Sequence, residues 1–262
     1  MSTDPPVPPP LPADNAITPL KLYQTQNSPN DSICQWTTEL ELREVCAKNN
    51  ICLYKAPHQF KYKNFKAITQ VGPTCGLVAL SMLLNGEVGP NELLNIVIAE
   101  GYSNNGEMFS CQNMAQLVEK VFNLAKINNA SFQLRHGLYS KEIILELLNG
   151  ATLLVAYDAD CNHSPCLRHG HTAHWAIVCG IIIIDDPNGN YLSDPNNIYI
   201  FCRHGQSKYL AMWRLADLDS SNKNLNEFNP KKKEDGLLYI LPEGGMGGKN
   251  GLKGQFIMVK GL

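Results

Sequence analysis

The strongest constraint in this sequence is the turn at residues 72–73, Gly-Pro, which leads at once into the largely apolar run 77–84. We predict a buried helix over 74–84 with Cys75 on its first turn. Pro73 suits the opening of a helix because its missing N–H has no partner there, and Thr74 can supply a capping hydroxyl. Such a helix holds the Cys75 thiol at the positive end of the helix dipole.

A thiol in this position can become a nucleophile. At a helix N-terminus beside a histidine cation, the pKa of a cysteine falls from about 8.5 to roughly 3.5–7.5. A cysteine on an apolar helix is more often part of a core, but a core helix needs neither the Gly-Pro turn nor the polar Gln70 before it. The Gln70 amide and the Cys75 backbone N–H could together form an oxyanion hole, worth about 10²–10³ in rate.

A histidine partner stands about a hundred positions further on. His174 opens the apolar run 175–184, whose β-branched residues favour a buried strand. A helix-borne cysteine and a strand-borne histidine far apart in sequence are typical of two-lobed cysteine hydrolases. His171 is a competing base; we favour His174 because it directly adjoins the apolar run.

In residues 70–80, 174–180 and 198–208 the chain resembles papain-like enzymes, and among them the actin maturation proteases, cytosolic cysteine aminopeptidases related to bacteriocin-leader peptidases. The resemblance covers most of residues 35–262. It implies an α+β, papain-like fold in which a helical lobe with the buried catalytic helix packs on an antiparallel β lobe.

The same resemblance implies the reaction. Cys75 would attack the carbonyl of the acetylated first residue of immature actin, Gln70 would hold the oxyanion, and His174 would carry the proton to the leaving amine. Two alternatives use the same residues: acyl transfer, as in arylamine acetyltransferases or transglutaminases, and an inactive scaffold that binds actin and profilin.

The third catalytic group does not follow the papain-like pattern of an Asn or Asp that orients the histidine. Asp186 lies about 33 Å from His174 if residues 174–184 form one extended strand. A sharp bend at Gly180 could still bring Asp186 or Asp194 back to the site.

The strand 198–202 would return antiparallel and place residues 202–206 opposite His174. This stretch contains no carboxylate. His204, Gln206 or a backbone carbonyl could accept the imidazole N–H, and a Cys-His dyad with no third residue is the default.

Composition is consistent with a soluble enzyme, and we expect no cofactor. The 262 residues carry a net charge of −2 and are 44% hydrophobic, which gives no reason to expect nucleic-acid or membrane binding. No apolar run approaches the 18 or so residues that a membrane span requires, and the start of the chain does not resemble a signal peptide. The nine cysteines follow no repeated spacing, so we predict reduced thiols and a cytoplasmic location.

The chain is expected to divide into a tail and one domain. Half of the sixteen prolines fall within the first 30 residues, too poor in apolar bulk to fold and stiffened toward polyproline II. We predict a disordered tail over 1–30 and a papain-like peptidase domain over 31–262. The family resemblance implies that the tail engages profilin; a solvated tail without a partner is the alternative.

Local patterns predict helices first and strands later. The expected helices cover 37–48, 74–84, 92–99 (capped by Asn91), 113–125 and 142–148 (capped by Ser140). The expected strands cover 152–157, 174–184, 198–202, 208–213, 237–241 and 255–259. Residues 219–235 are predicted to be a loop.

Two further segments and a group of basic residues also bear on the site. Residues 161–171 are rich in Cys and His, but their spacing is not that of a zinc finger, so a polar loop over the cleft is favoured over a metal site. Residues 244–254 are glycine-rich and are predicted to form a mobile hairpin between strands. We also expect basic residues on loops around the cleft to attract an acidic substrate. They are Arg168, His169, Arg203, His204 and Lys208.

Overall fold

The computed structural model describes residues 39–51, 57–186 and 189–262. The helices in these residues are α1 (Leu40–Lys48), α2 (Cys75–Leu83), α3 (Pro90–Ala99), α4 (Cys111–Leu124), α5 (Lys141–Leu148) and α6 (Leu215–Lys223). The strands are β1 (Gln59–Tyr62), β2 (Ser131–His136), β3 (Thr152–Asp158), β4 (Ala173–Ile183), β5 (Ile198–His204), β6 (Ala211–Arg214) and β7 (Gln255–Lys260). The proline-rich tail, 1–30, lies outside the described residues.

The strands form one antiparallel sheet with β4 near its middle. The order is β2-β7-β3-β4-β5-β6, and β1 pairs with the second half of β4. Ile177 of β4 faces Leu154 of β3 on one side and Arg203 of β5 on the other. Helices pack on both faces of this sheet, which confirms the predicted α+β class.

Both faces of β4 are covered, which explains its uninterrupted apolar run. Trp175 and Ile177 belong to the core cluster that contains α2 and α4. Ala176 and Val178 belong to the cluster on the opposite face, which contains α5 and α6. The pairing with β5 shifts register between Val178 and Gly180, and the strand then continues to Ile183.

Helix α2 forms where the sequence predicts it, with a difference at its start. Its C-terminal turn has the predicted left-handed residues, Asn85 and Gly86, and the Gly86 N–H donates to the Ser81 carbonyl. The Thr74 hydroxyl does not cap the helix; it donates to the Val71 carbonyl instead.

Other helix boundaries differ for local reasons. Helix α3 begins at Pro90 with Gly89 as its N-cap, so Asn91 is already helical and does not cap. Helix α6 extends to Lys223, into the stretch predicted to be a loop. Its buried Leu218 and Ser221 pack it against the sheet, which the polar composition of this stretch does not indicate.

The C-terminal third also departs from the prediction. Residues 237–241 are not a strand, so residues 244–254 do not form a hairpin between strands. Tyr239 instead packs its ring against Phe109 and Phe228, at 6.2 and 5.0 Å between ring centroids. Local sequence patterns do not predict the short edge strands β1 and β2. Of the four residues of β1 and the six of β2 only Tyr62 is buried, so neither strand contains an apolar run. Within the described residues, no helix is both long enough and apolar enough to cross a bilayer.

Candidate active site

Cys75 is the first residue of α2 and lies against the start of β4. The backbone N–H groups of Trp175 and Gly76 donate toward its sulfur. Gly76 allows this approach, since a Cβ there would lie 3.2 Å from Trp175 Cδ1 and 2.8 Å from Met114 Cε. The peptide that joins His174 to Trp175 is therefore in contact with the nucleophile candidate.

The protonation state of Cys75 differs from the sequence-based prediction. Burial raises the pKa of the thiol, and the two N–H groups and the Lys232 ammonium oppose this only in part. The helix start does supply stabilising dipoles, as predicted. The apolar surroundings of the sulfur outweigh them, so the thiol of the free protein is protonated at neutral pH.

His174 is buried, with 7% of its surface exposed, and is enclosed by aromatic rings. Its ring centroid lies 5.8 Å from that of Tyr157, 6.3 Å from that of His163 and 5.7 Å from that of His204. Burial, followed by the charges of His204 and His163, lowers the pKa of His174 to about 3. The imidazole is thus neutral and able to accept a proton.

His204 stands beside His174 at the end of β5. It pairs with Ala176 across the sheet, so the antiparallel return of β5 brings it to the same face as His174. Its ring stacks on Trp213 at 5.9 Å and 20°. His174 Nε2 and His204 Nδ1 are both buried, and neither has a hydrogen-bond partner within the described residues. Burial and the charge of His163 lower the pKa of His204 to about 4.

The other candidates for the third group are less well placed. Because β4 runs on to Ile183, no bend at Gly180 returns the chain, and Asp186 lies beyond the far end of the strand. Gln206 is exposed.

Gln70 ties the turn before α2 to the end of β5. Its backbone N–H donates to the Gly205 carbonyl at 2.8 Å, and its side-chain Nε2 donates to the Gly72 carbonyl at 3.0 Å. A Cβ at Gly205 would lie 2.8 Å from Gln70 Oε1, so only glycine leaves room for this side chain. One amide hydrogen of Gln70 is donated to Gly72, and within the described part of the chain the other has no acceptor and could serve a ligand.

His171, the competing base, lies outside this group. It precedes β4, its side chain is 35% exposed, and its Nε2 is 2.8 Å from Glu227 Oε1. The His171 ring therefore interacts with a carboxylate at the surface and not with Cys75.

Residues 161–171 form an anchored loop. The fully buried Asp158 carboxylate accepts hydrogen bonds from the backbone N–H groups of Arg168, Gly170 and Thr172 and from the Thr172 hydroxyl. Tyr157 donates to the His163 carbonyl at 2.8 Å and thereby holds His163 beside the two other histidines. Among the described residues, no three His, Cys, Asp or Glu side chains are grouped as metal ligands would be.

The prediction that exposed basic residues surround the cleft is wrong for Arg203. This guanidinium is 4% exposed and binds both carboxylate oxygens of Glu41 in α1. Glu41 also accepts from the Leu210 N–H. Arg203 thus joins α1 to the sheet, and only Arg168, His169 and Lys208 of the predicted set are exposed.

A groove of about 870 Å³ adjoins the outer histidines, His163 and His204. Its other side is formed by α1, which contributes Glu41, Glu44 and Lys48. The mixed charges of this wall do not make it a basic surface.

Cys75 at a helix start, in contact with the peptide that follows the neutral His174, offers a thiol and a proton acceptor at the same end of the sheet. Residues 65–182 match the family described as actin maturation protease-like, C-terminal domain. The chain is 40% identical over 231 residues to the actin maturation protease of Drosophila melanogaster, an alignment that covers 87% of this chain and 82% of that protein. For the proteins of the same name from Danio rerio and Xenopus tropicalis, identity is 32% and 34%, with 74% and 73% of this chain and 71% and 70% of the relatives covered. The chain belongs to the actin maturation protease family.

Sequence reasoning missed three neighbours of this site. The Trp175 amide, His163 and Glu107 all act on the charge of Cys75 or His174. Trp175 is adjacent to a predicted catalytic residue and could have been found. His163 and Glu107 reach the site only through the packing of distant loops.

Proposed function

We propose that this protein is a papain-like cysteine aminopeptidase that removes the acetylated N-terminal residue from immature actin. The contact of Cys75 with the peptide that follows His174 carries the proposal, because it brings a thiol and a neutral imidazole to one end of the sheet. The names of the relatives support a protease role and actin as the substrate.

The reaction would proceed by acyl transfer to sulfur. As the Cys75 sulfur attacks the carbonyl carbon of the first residue, His174 takes the thiol proton, so that charge develops only during attack. The tetrahedral oxyanion accepts hydrogen bonds from the Cys75 N–H and the free amide hydrogen of Gln70. His174 then gives its proton to the nitrogen of the second residue as the C–N bond breaks, and water hydrolyses the thioester.

His204 would act as a positioning residue for His174. Its stacking on Trp213 fixes its ring. His204 Nδ1 and His174 Nε2, which have no hydrogen-bond partner among the residues that the structure describes, belong to neighbouring buried rings. A neutral imidazole can accept or donate a hydrogen bond, so His204 can take the place of the usual Asn or Asp.

The proposal is tested on the actin N-terminus itself. N-acetylated immature actin is incubated with the wild-type protein, with Cys75→Ala, and with Cys161→Ala as a control that removes an exposed cysteine. Mass spectrometry should find actin shortened by one acetylated residue with wild type and Cys161→Ala, but not with Cys75→Ala. A heavier, acylated product would indicate acyl transfer instead. Intact actin in all three reactions would favour the scaffold hypothesis.

The remaining predictions are part of the same proposal. A peptidase domain over 31–262 would act in the cytoplasm, where its cysteines remain reduced. The proline-rich tail, 1–30, would bind profilin and thereby bring profilin-bound actin to the active site.

A further inference from the structure

One wall of the active site contains a buried carboxylate that the proposed reaction does not use. Segment 106–109 lies against the start of α2. The Met108 carbonyl accepts from Trp175 Nε1 at 2.9 Å, and a Cβ at Gly76 would lie 3.3 Å from Met108 Cβ. A Cβ at Gly106 would lie 2.8 Å from Thr74 Cγ2. Glu107 is therefore held between two residues that contact the catalytic helix.

The Glu107 side chain is 6% exposed, and its Oε1 has no hydrogen-bond partner within the described residues. Burial raises the pKa of this carboxyl group, while Lys232 and Asn105 favour its ionised form. The charges of Glu107 and Lys232 both act on the pKa of Cys75. The neighbours of Glu107 in the chain, Gly106 and Met108, pack against Thr74 and Gly76, which flank Cys75. A buried acceptor that stays unpaired is unfavourable, so a ligand that supplies a donor to it binds more tightly.

The surroundings of Glu107 form an aromatic wall. Lys232 Nζ lies over the rings of Phe109 and Tyr239, at 5.8 and 5.5 Å from their centroids. Asn104 and Asn105 donate to the Leu238 carbonyl at 3.1 and 3.0 Å, which ties the segment that carries Tyr239 to the segment that carries Glu107.

We propose that Glu107 determines specificity for an acylated amino terminus: its free carboxylate oxygen accepts the amide N–H of the acylated first residue. This inference rests on the proposed function. In a residue attacked at its carbonyl carbon, that N–H is separated from the reacting carbon only by Cα. Lys232 already supplies a positive charge that favours the ionised form of Glu107, so a neutral amide donor suits the site better than a free α-ammonium group.

The test removes the N–H and the acceptor separately. The substrates are a short N-acetylated peptide and its analogue in which an ester oxygen replaces the N–H of the first residue. The variants are Glu107→Met, which keeps a similar volume without an acceptor, and Glu119→Met, a control on the exposed face of α4. We expect Glu107→Met to lower the ratio of kcat/KM for the acetylated peptide to kcat/KM for the ester analogue about 10- to 100-fold, because an effect through the Cys75 thiol would be common to both substrates and cancels in this ratio.

Equal losses on both substrates would overturn the proposal, since Glu107 would then act on something other than the N–H. If Glu107→Met does not fold, as judged by Tm, Glu107→Gln replaces it. This variant keeps an acceptor oxygen and should retain a preference for the N–H substrate, and loss of that preference would count against the role.

A binding assay separates this inference from the proposed function. In the Cys75→Ala background, calorimetry should show that the acetylated peptide binds more tightly than the ester analogue, and Glu107→Met should abolish the difference. That result supports the role of Glu107 even if the wild-type protein cleaves neither substrate. Equal binding of both peptides refutes it even if cleavage occurs.

Discussion

At the scale of single residues, Cys75 shows how burial competes with helix dipoles. The sulfur accepts hydrogen bonds from the backbone N–H groups of Gly76 and Trp175, which lower the pKa of the thiol, but burial raises this pKa by more. The same effect lowers the pKa of His174 to about 3, because both side chains are less stable when charged in apolar surroundings. The free protein therefore holds a neutral thiol and a neutral imidazole.

This protonation state predicts how Cys75 reacts with iodoacetamide. Only the thiolate is alkylated, so the rate at Cys75 should rise about tenfold per pH unit between pH 6 and 8. His174→Ala should change this profile little. Exposed Cys161 serves as the internal reference for peptide mass spectrometry. A fast rate that is independent of pH between 5 and 7, and that disappears in His174→Ala, would instead indicate an ion pair.

Gln70 gives a second residue-scale prediction. Gln70→Ala should lower kcat for actin by about 10²–10³ and leave KM nearly unchanged, since the oxyanion exists only in the transition state. The matched control is Gln116→Ala on the exposed surface of α4. A rise in KM with unchanged kcat would assign Gln70 to substrate binding.

At the scale of elements, strands β4 and β5 place two histidines with lowered pKa side by side. The values of about 3 for His174 and about 4 for His204 lie below the ordinary value near 6.5, so the unfolded chain binds more protons between these limits. The stability that the neutral rings contribute is present above pH 6.5 and is lost as pH falls toward 4.

Urea unfolding at pH 7.5, 6 and 5 measures this effect. The free energy of unfolding should fall with pH, and His204→Gln should make the fall shallower because it removes one of the two groups. His136→Gln, at an exposed position of β2, is the control and should leave the slope unchanged. An identical slope in His204→Gln would contradict the assignment.

The loop between β3 and β4 depends on a single carboxylate. Asp158→Asn loses acceptor capacity for the N–H groups of Arg168, Gly170 and Thr172, and we expect a loss of about 2–4 kcal/mol in stability. Hydrogen exchange at residues 168–172 should increase at the same time. Asp160→Asn, which affects the Asn162 and Ser164 N–H groups nearer the surface, should cost less. Equal protection in both variants would show that the loop is held by other contacts.

At the scale of the whole molecule, the proposed division of labour separates catalysis from recruitment. Deletion of residues 1–30 should leave turnover of a short acetylated peptide intact but slow the turnover of actin presented with profilin, because the tail would contribute only effective concentration. A second variant, in which alanine replaces the prolines of residues 5–12, tests whether an effect of the deletion depends on these prolines. Equal rates on profilin-bound actin would mean that the tail has no recruiting role.

Much of the fold follows from local pattern. Local pattern predicts the apolar runs of α2 and β4 and the left-handed C-cap at residues 85–86, because each of these features depends on neighbours within a few positions. Local pattern does not predict the edge strand β2, since its partner β7 lies more than a hundred residues away. Tyr239 likewise packs on Phe109 rather than in a sheet, a choice that depends on which loops meet.

The sequence by itself determined the chemical groups of the candidate site and their order: Gln70, then Cys75 at a helix start, then His174 at the head of a buried strand. The short-range periodicity of the apolar residues and the capping pattern are sufficient to predict these groups and their order. Only the tertiary structure decided their charge states and their neighbours. Arg203 is buried because Glu41, 162 positions away, neutralises its charge. Glu107 is part of the surroundings of the site because a loop carries it there. Desolvation and pairing depend on atoms that are distant in sequence, so the local pattern of residues does not contain them.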